Sequence, residues 1–169
     1  MNQLFIQKVE FSGLGTLVLG DFQGKLCLCY FEKSPLITWV QNKIRRILKV
    51  QFIEAETPLI RKAIEQLNEY VLRKRKFFEL PILLVGTSFQ KRCWEQLQKI
   101  PFGHTVSYAE EALILGKPKA YRAVAGANRV NPIQIIIPCH RVVEKNGGLG
   151  GYSAGVEIKK RLLQLEFQK

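Results

Sequence analysis

Two hydrophobic rhythms alternate along this chain, one of period two and one near the helical period. "GTLVLG" and "KLCLCYFEK" carry the first and flank "GDFQG", whose glycines suit a turn, so residues 15–33 predict a β-hairpin. Alternation sorts Leu26, Leu28 and Tyr30 onto one face and Cys27, Cys29 and Phe31 onto the other. "SPLITWVQNKIRRIL" predicts a helix with Ser34 as its cap and Pro35 at its first position. "VQFIEA" predicts a further strand. "TPLIRKAIEQLNEYVLRKR" repeats the cap-proline opening at Thr57 and Pro58, with Leu59, Ala63, Leu67 and Leu72 as its apolar face.

"FFELPILLVGTS" interrupts the helical pattern and places a boundary between Leu80 and Thr87, dividing the chain into domains 1–82 and 83–169. Beyond it the pattern is helical. "SFQKRCWEQLQKI" predicts one helix capped by Thr87 or Ser88. "SYAEEALIL" predicts a second, with Ser107 and Glu110 at capping-box spacing and Gly116 as its stop. Pro118 opens a third, "PKAYRAVAGANR". Two helices joined by a glycine turn have the spacing of a helix-turn-helix, which ordinary helical hairpins share.

Composition narrows the class. The 169 residues are 47% hydrophobic and 24% charged, an ordinary globular balance. A net charge of +12 favours a polyanionic partner. The opening "MNQLFIQKVEF" carries charges where a signal peptide would be apolar, and no apolar run approaches membrane-spanning length. Four cysteines without a framework spacing fit a reducing, cytoplasmic setting. The run "RKRK" at Arg73 to Lys76 reads as a solvated face.

Two stretches carry candidate chemistry. The third helix is nearly bald: Ala120, Ala123, Ala125, Gly126 and Ala127 leave Arg122 and Arg129 standing out. Small residues there allow close approach of either a neighbouring helix or a DNA groove. "IPCHRVV" sets Cys139 beside His140. A free thiol is only about 3% ionised at pH 7, so a nucleophilic Cys139 needs a partner to take its proton. Neighbours in a strand point to opposite faces, so His140 would need a water or a sharp turn to reach it. With two histidines in the chain and no Cys-x-x-Cys pair, metal binding is poorly served. On these residues alone an inert buried cysteine and a reactive one stand level.

"NPIQIIIPCHRVV" closely resembles the active-site signature of the O6-alkylguanine-DNA alkyltransferases. The resemblance extends through "FQKRCWEQLQKIPFGHTVSYAEEALILGKPKAYRAVAGANRVNP" before it and "GGLGGYSAGVEIKKRLLQLE" after it, roughly half the chain. It implies an α+β protein: a small sheet-and-helix, ribonuclease-H-like domain, then a helical, winged-helix-like domain with a helix-turn-helix. It implies Cys139 as the alkyl acceptor, His140 as a base acting through a water, Glu166 as the carboxylate orienting that histidine, Tyr108 as proton donor to guanine N3, and Asn131 as a hinge. It implies DNA contacts from Ser107, Arg122, Ala123, Gly126, Asn128 and Arg129, with Arg122 filling the gap left by a flipped base. Gln134, Val142, Tyr152 and Ser153 become the substrate pocket.

The implied activity is irreversible, single-turnover transfer of an alkyl group from O6 of guanine in double-stranded DNA to Cys139. O4 of thymine is a candidate second substrate, whose relative activity the sequence leaves open. The reading is of a monomer with no cofactor, no metal and no membrane. The residue types suit the chemistry, since nucleophile, base, orienting carboxylate and acid are all present. Gln134, Asn128 and Ala154 depart from residues common in the family, which bears on pocket size and preferred alkyl group. A helix-turn-helix binder without chemistry is the rival from another class, and related damage binders lack the cysteine. A cysteine hydrolase is a third reading, without a separate catalytic histidine in the usual order.

Overall fold

The computed structural model describes residues 2–168. It divides by internal contacts into two units, Met1–Val85 and Gly86–Lys169. The architecture is mixed α+β, with one four-stranded sheet, one two-stranded ladder and six α-helices among the described residues. No helix among them is long and apolar enough to cross a membrane.

The first unit is a sheet with helices. Strands β1 (Asn2–Phe11), β2 (Gly15–Phe22), β3 (Lys25–Phe31) and β4 (Val50–Glu54) lie in the order β3-β2-β1-β4. The first three run antiparallel, and β4 pairs parallel to β1 after the crossover through α1 (Ile37–Leu48). The β2–β3 turn places Gln23 and Gly24 at φ 53° and 81°, the left-handed pair that a tight hairpin needs. Asp21 Oδ1 closes it by accepting from the Gly24 amide at 2.8 Å. From Leu26 to Phe31 both strand faces are buried, so Cys27 and Cys29 are core residues. Segment 81–83 exchanges backbone hydrogen bonds with Leu26 and covers the outer edge of β3.

Helix α2 (Pro58–Val71) starts where its cap predicts, with Thr57 Oγ1 accepting from the Ile60 amide at 3.1 Å. Its buried face differs from the expected one. Ile60, Ala63, Leu67 and Tyr70 point inward, while Leu72 is 64% exposed. Helix α1 also starts later than Ser34 and Pro35 suggest. Ser34 is buried in a turn, accepting from the Leu36 amide, and the helix begins at Ile37 with no side-chain cap.

The second unit packs α3 (Ser88–Leu97), α4 (Tyr108–Ile114), α5 (Tyr121–Arg129) and α6 (Val156–Phe167) around the motif loop. Helix α3 carries a complete capping box between Thr87 and Gln90. Its Trp94 is buried and donates Nε1–H to the Ala127 carbonyl at 2.9 Å, tying α3 to α5. Ser107 caps α4 by accepting from the Glu110 amide at 3.0 Å, and Gly116 ends the turn after it at φ 75°. Helix α5 begins at Tyr121 rather than Pro118, because residues 117–120 form a turn before it. Strands β5 (Val106–Ser107) and β6 (Val142–Val143) pair in parallel, which brings the start of α4 beside the end of the motif.

Candidate active site

The motif is not a strand at its key residues. Cys139–Arg141 form one 3-10 turn, the sharp turn that the sequence left open beside a water as the way His140 could reach Cys139. The turn is set up by Asn131. Its Nδ2 donates to the Ile137 carbonyl at 2.8 Å and its Oδ1 accepts from the Ile133 amide at 3.0 Å. That clamp encloses Ile135, whose φ of 72° is a costly conformation for a β-branched residue. Asn131 is itself fully buried. The bend it stabilises delivers Cys139 to the end of an otherwise continuous apolar run.

Behind the cysteine lies a buried ionic cluster that joins His140 and Arg141 of the turn to Glu166 of α6. His140 Nε2 is 2.6 Å from Glu166 Oε2. Glu166 also accepts from Arg141 Nε at 2.7 Å and Nη2 at 3.1 Å, while Arg141 Nη1 donates to the Ile100 carbonyl at 2.6 Å. Burial acts to raise the Glu166 pKa, but hydrogen bonds and charge from His140 and Arg141 overcome it and hold the carboxyl down at about 2. An ionised Glu166 takes the proton-bearing nitrogen of His140, so Nε2 donates. Nδ1 is then the lone-pair nitrogen, and it is buried with no hydrogen-bond partner. Burial lowers the His140 pKa, favouring the neutral ring that a base requires. Burial also raises the Cys139 pKa to about 11, against opposing contributions from Asn131 and Lys159, so the resting residue is a thiol.

Lys159 is fully buried and carries no role in the sequence reading. Its Nζ donates to the Val142 carbonyl at 2.6 Å, the Gly151 carbonyl at 3.2 Å and Tyr108 Oη at 3.5 Å. Burial lowers its pKa to about 8. Burial, helped by the charges of Cys139 and Glu111, raises that of Tyr108 to about 12. Tyr108 in turn lies 3.4 Å from the Gly151 carbonyl, and a Cβ at Gly150 would meet its ring at 2.9 Å. Glycine therefore lets the 150–151 segment close on the phenol. A lysine at this position of α6 interrupts the apolar face between Ile158 and Leu162, the one signal that could have drawn notice in the sequence. Arg141 went unassigned for a similar reason: its role depends on Glu166, 25 residues away.

A pocket over Cys139 is lined by Tyr108, Asn128, Arg129, Gly151, Tyr152 and Ser153. Gln134 and Val142, expected in its wall, stand one layer back. Gln134 is fully buried and donates to Ser153 Oγ at 2.8 Å, and Val142 holds Lys159 through its carbonyl.

The residues expected on DNA divide into two groups. Arg122, Ala123, Gly126 and Arg129 are exposed along α5, and no side chain or foreign backbone lies within 4 Å of where a Gly126 Cβ would sit. Ser107 and Asn128 are buried instead. Ser107 is occupied as the α4 cap. Asn128 faces inward because α5 turns that side toward α4, where its Nδ2 donates to Glu111 Oε1 at 2.9 Å. The Arg122 guanidinium lies 5.9 Å from the Tyr121 ring. No cluster of metal-binding side chains occurs among the described residues.

A family model described as the DNA-binding domain of 6-O-methylguanine DNA methyltransferase matches residues 88–168. The constitutive methylated-DNA–protein-cysteine methyltransferase of Bacillus subtilis is 38% identical over 157 residues, 90% of either chain. A methylated-DNA–protein-cysteine methyltransferase of Methanosarcina acetivorans is 49% identical over 160 residues, 92% of this chain and 94% of that one. The crystal structure of the Mycobacterium tuberculosis O6-methylguanine methyltransferase superposes with a TM-score of 0.81 at 34% identity, covering 97% of this chain and 93% of that one. A second, of Mycobacterium tuberculosis OGT in complex with DNA, gives 0.79 at 32% identity, covering 98% and 92%. With a relative this similar along nearly its whole length, the chain belongs to the methylated-DNA–protein-cysteine methyltransferase family.

Proposed function

We propose that this protein repairs DNA by moving an alkyl group from O6 of guanine onto Cys139, once per molecule. The carrying observation is the Glu166–His140 pair with its buried, unpartnered Nδ1, set one residue from a cysteine that lines a pocket. Glu166 fixes the tautomer, and Nδ1 takes the thiol proton through a water. The thiolate attacks the alkyl carbon, the S–C bond forms and the C–O6 bond breaks. The electron pair passes into the guanine ring, where a proton from Tyr108 at N3 neutralises it. A phenol held near a pKa of 12 is a weak acid by itself. Lys159, at about 8 and within reach of Oη, replaces the proton as it leaves. A thioether has no easy hydrolytic exit, so the cycle stops there.

The exposed, small-residue surface of α5 supports a helix-turn-helix reading of α4 and α5, docked through the minor groove with Arg122 in the gap of the flipped base. The antiparallel hairpin pair with a parallel fourth strand supports a ribonuclease-H-like description of the first unit, and the β5–β6 ladder beside the helices a winged-helix-like one of the second. Four free cysteines suit work in the reducing cytoplasm. Intact mass after incubation with excess duplex containing O6-methylguanine tests the proposal. One added methyl group per chain, mapping to Cys139 and reaching a plateau, is expected. Unchanged protein that binds the duplex, or continued turnover, would overturn it.

A further inference from the structure

Helices α4 and α5 meet at a buried polar pair to which the transfer chemistry gives no task. Glu111 is 1% exposed on α4 and Asn128 is 5% exposed on α5. One hydrogen bond joins them, from Asn128 Nδ2 to Glu111 Oε1 at 2.9 Å. The other oxygen of each group, Glu111 Oε2 and Asn128 Oδ1, is buried without a partner. An ionised carboxylate and a carboxamide oxygen are both acceptors, so neither can satisfy the other. No ion pair among the described residues includes Glu111. The groups around it bring no compensating charge. Cys93 of α3, Cys139 of the motif turn and Tyr108 of its own helix have pKa values raised to about 12, 11 and 12, so all three are neutral at pH 7. Strands β5 and β6 carry no charged residue, and the α5 cations Arg122 and Arg129 are exposed. Arg92 of α3 donates to the Leu115 carbonyl at the surface, and the buried Lys159 of α6 is committed to the Val142 and Gly151 carbonyls. A buried carboxylate without a cation is costly, whereas its acid form needs none.

We propose that Glu111 holds a proton on Oε2 and pairs with Asn128 through two hydrogen bonds, Nδ2–H to Oε1 and Oε2–H to Oδ1, forming a clamp that positions α4 and its Tyr108 against α5. One proton thus satisfies both unpartnered oxygens at once, in the cyclic arrangement open to an acid and an amide. Burial agrees with it, raising the Glu111 pKa to about 7 against the lowering effect of the Asn128 hydrogen bond. The folded value lies above the ordinary 4.5, so the fold keeps a proton that the unfolded chain has released. Stability from this group therefore falls as pH rises from about 4.5 to 7 and is level above. Above pH 7 the clamp loses its second bond. Glu111 is a positioning residue and touches no reacting atom. The clamp rests on the geometry of the pair, and its effect on transfer rests on the proposed function.

Glu111→Gln tests the clamp, because its amide has the shape of the acid, puts an NH2 group where the acid carries its proton, and makes both bonds at every pH. Urea unfolding of the full chain from pH 5 to 8 gives the ratio of folding equilibrium constants, variant over wild type, in which the titrations of His140 and Glu166 cancel. That ratio should rise by up to about tenfold per pH unit between pH 5 and 7 and then level off. The infrared carbonyl band of a protonated carboxylic acid should be present in the wild type at pH 6 and vanish in Glu111→Gln. In Asn128→Leu, which takes away both partners, it should move to higher wavenumber. The ratio of single-turnover methyl-transfer rate constants, Glu111→Gln over wild type, should be near one at pH 6 and rise about fivefold by pH 8.5, the effect of one hydrogen bond. A stability ratio or a rate ratio that stays level with pH, or an acid band that Asn128→Leu leaves in place, overturns the inference. Absence of methyl uptake by the wild type at every pH overturns the proposed function instead, and the stability ratio and the infrared band still decide the clamp.

Discussion

Cys29 in the sheet and Cys139 in the second unit are both buried thiols, and burial raises the pKa of each. Their surroundings differ in kind. Around Cys29 both strand faces are apolar, and burial is the sole cause of its shift. Around Cys139 the second unit gathers most of the buried polar side chains. Ser107, Glu111, Asn128, Asn131, Gln134, His140, Arg141, Ser153, Lys159 and Glu166 lie there, against Asp21, Ser34 and Gln66 in the first unit. A core that only has to hold together avoids such groups, since each must be paired to be tolerated. Concentrating them behind one cysteine gives up packing simplicity for proton positions. Reactivity at Cys139 therefore comes from what can accept its proton, because burial leaves it a thiol at rest even though Asn131 and Lys159 pull its pKa down.

The largest effect that can break this comparison is on transfer itself. Cys139→Ser should abolish methyl uptake, measured as intact mass, because a serine hydroxyl is scarcely ionised at neutral pH. Cys29→Ser should leave uptake stoichiometric and instead lower stability by about 1–3 kcal/mol, the cost of burying a hydroxyl among apolar groups. Uptake surviving Cys139→Ser would mean that another residue accepts the group.

Glu166→Gln comes next. It removes the negative charge that orients His140 and pairs with Arg141, leaving a buried guanidinium uncompensated at a cost of roughly 3–5 kcal/mol. The wild type should show the same dependence through pH. The Glu166 pKa in the fold, about 2, lies below its ordinary value of 4.5. Its stabilising contribution is thus fully present above about pH 4.5 and is lost as pH falls toward 2, amounting to about 3 kcal/mol. Urea denaturation at pH 6, 4 and 3 should show wild-type stability falling over this window and Glu166→Gln falling less. Parallel curves would place the acid sensitivity elsewhere.

The same contrast explains what was legible in the sequence. In the first unit the hairpin, β4 and the Thr57 cap were readable because local rules govern them: alternation, turn glycines and a capping oxygen. The miss on α2 is one of phase. Leu72 fits the apolar spacing of the sequence, but the helix ends at Val71 and Tyr70 takes the inward position. In the second unit the motif marked Cys139 and its neighbours through family resemblance, whereas Lys159 and Arg141 were silent. Their partners, the Val142 carbonyl and the Glu166 carboxylate, are brought near only by tertiary packing. For Cys139 and His140 the sequence left a strand and a sharp turn both open, because the Asn131 clamp that sets the turn is something no residue-by-residue propensity reports.

A smaller effect falls on rate alone. If Lys159 replaces the proton lost by Tyr108, transfer should slow as pH rises through about 8, where its ammonium is lost. Lys159→Met keeps most of the buried stem and should slow transfer by roughly 10²-fold, within the usual range of a general acid. It should also remove that alkaline limb. Single-turnover rates from pH 6 to 9 decide it. A limb that persists in Lys159→Met would assign the titration to another group and leave Lys159 as a tie between Val142 and Gly151.

The smallest effect separates a cap from a DNA contact. Ser107 sits between two candidate roles, since it opens α4 directly before Tyr108 yet was expected to touch DNA. Its hydroxyl is buried and already accepts from the Glu110 amide. Ser107→Ala should therefore cost about 1 kcal/mol of stability, as loss of a helix cap does elsewhere. Affinity for an undamaged duplex should stay within about twofold, and the salt slope should not change, because counterion release counts phosphate contacts made by cations. Thr87→Ala is the control: Thr87 also caps its helix by accepting from the amide three residues on, but it does not precede the phenol. Both variants should lose similar stability in denaturant titrations. Any further loss in transfer rate confined to Ser107→Ala would measure how firmly the α4 cap holds Tyr108 over the pocket. A several-fold drop in duplex affinity for Ser107→Ala, absent in Thr87→Ala, would return Ser107 to the DNA surface.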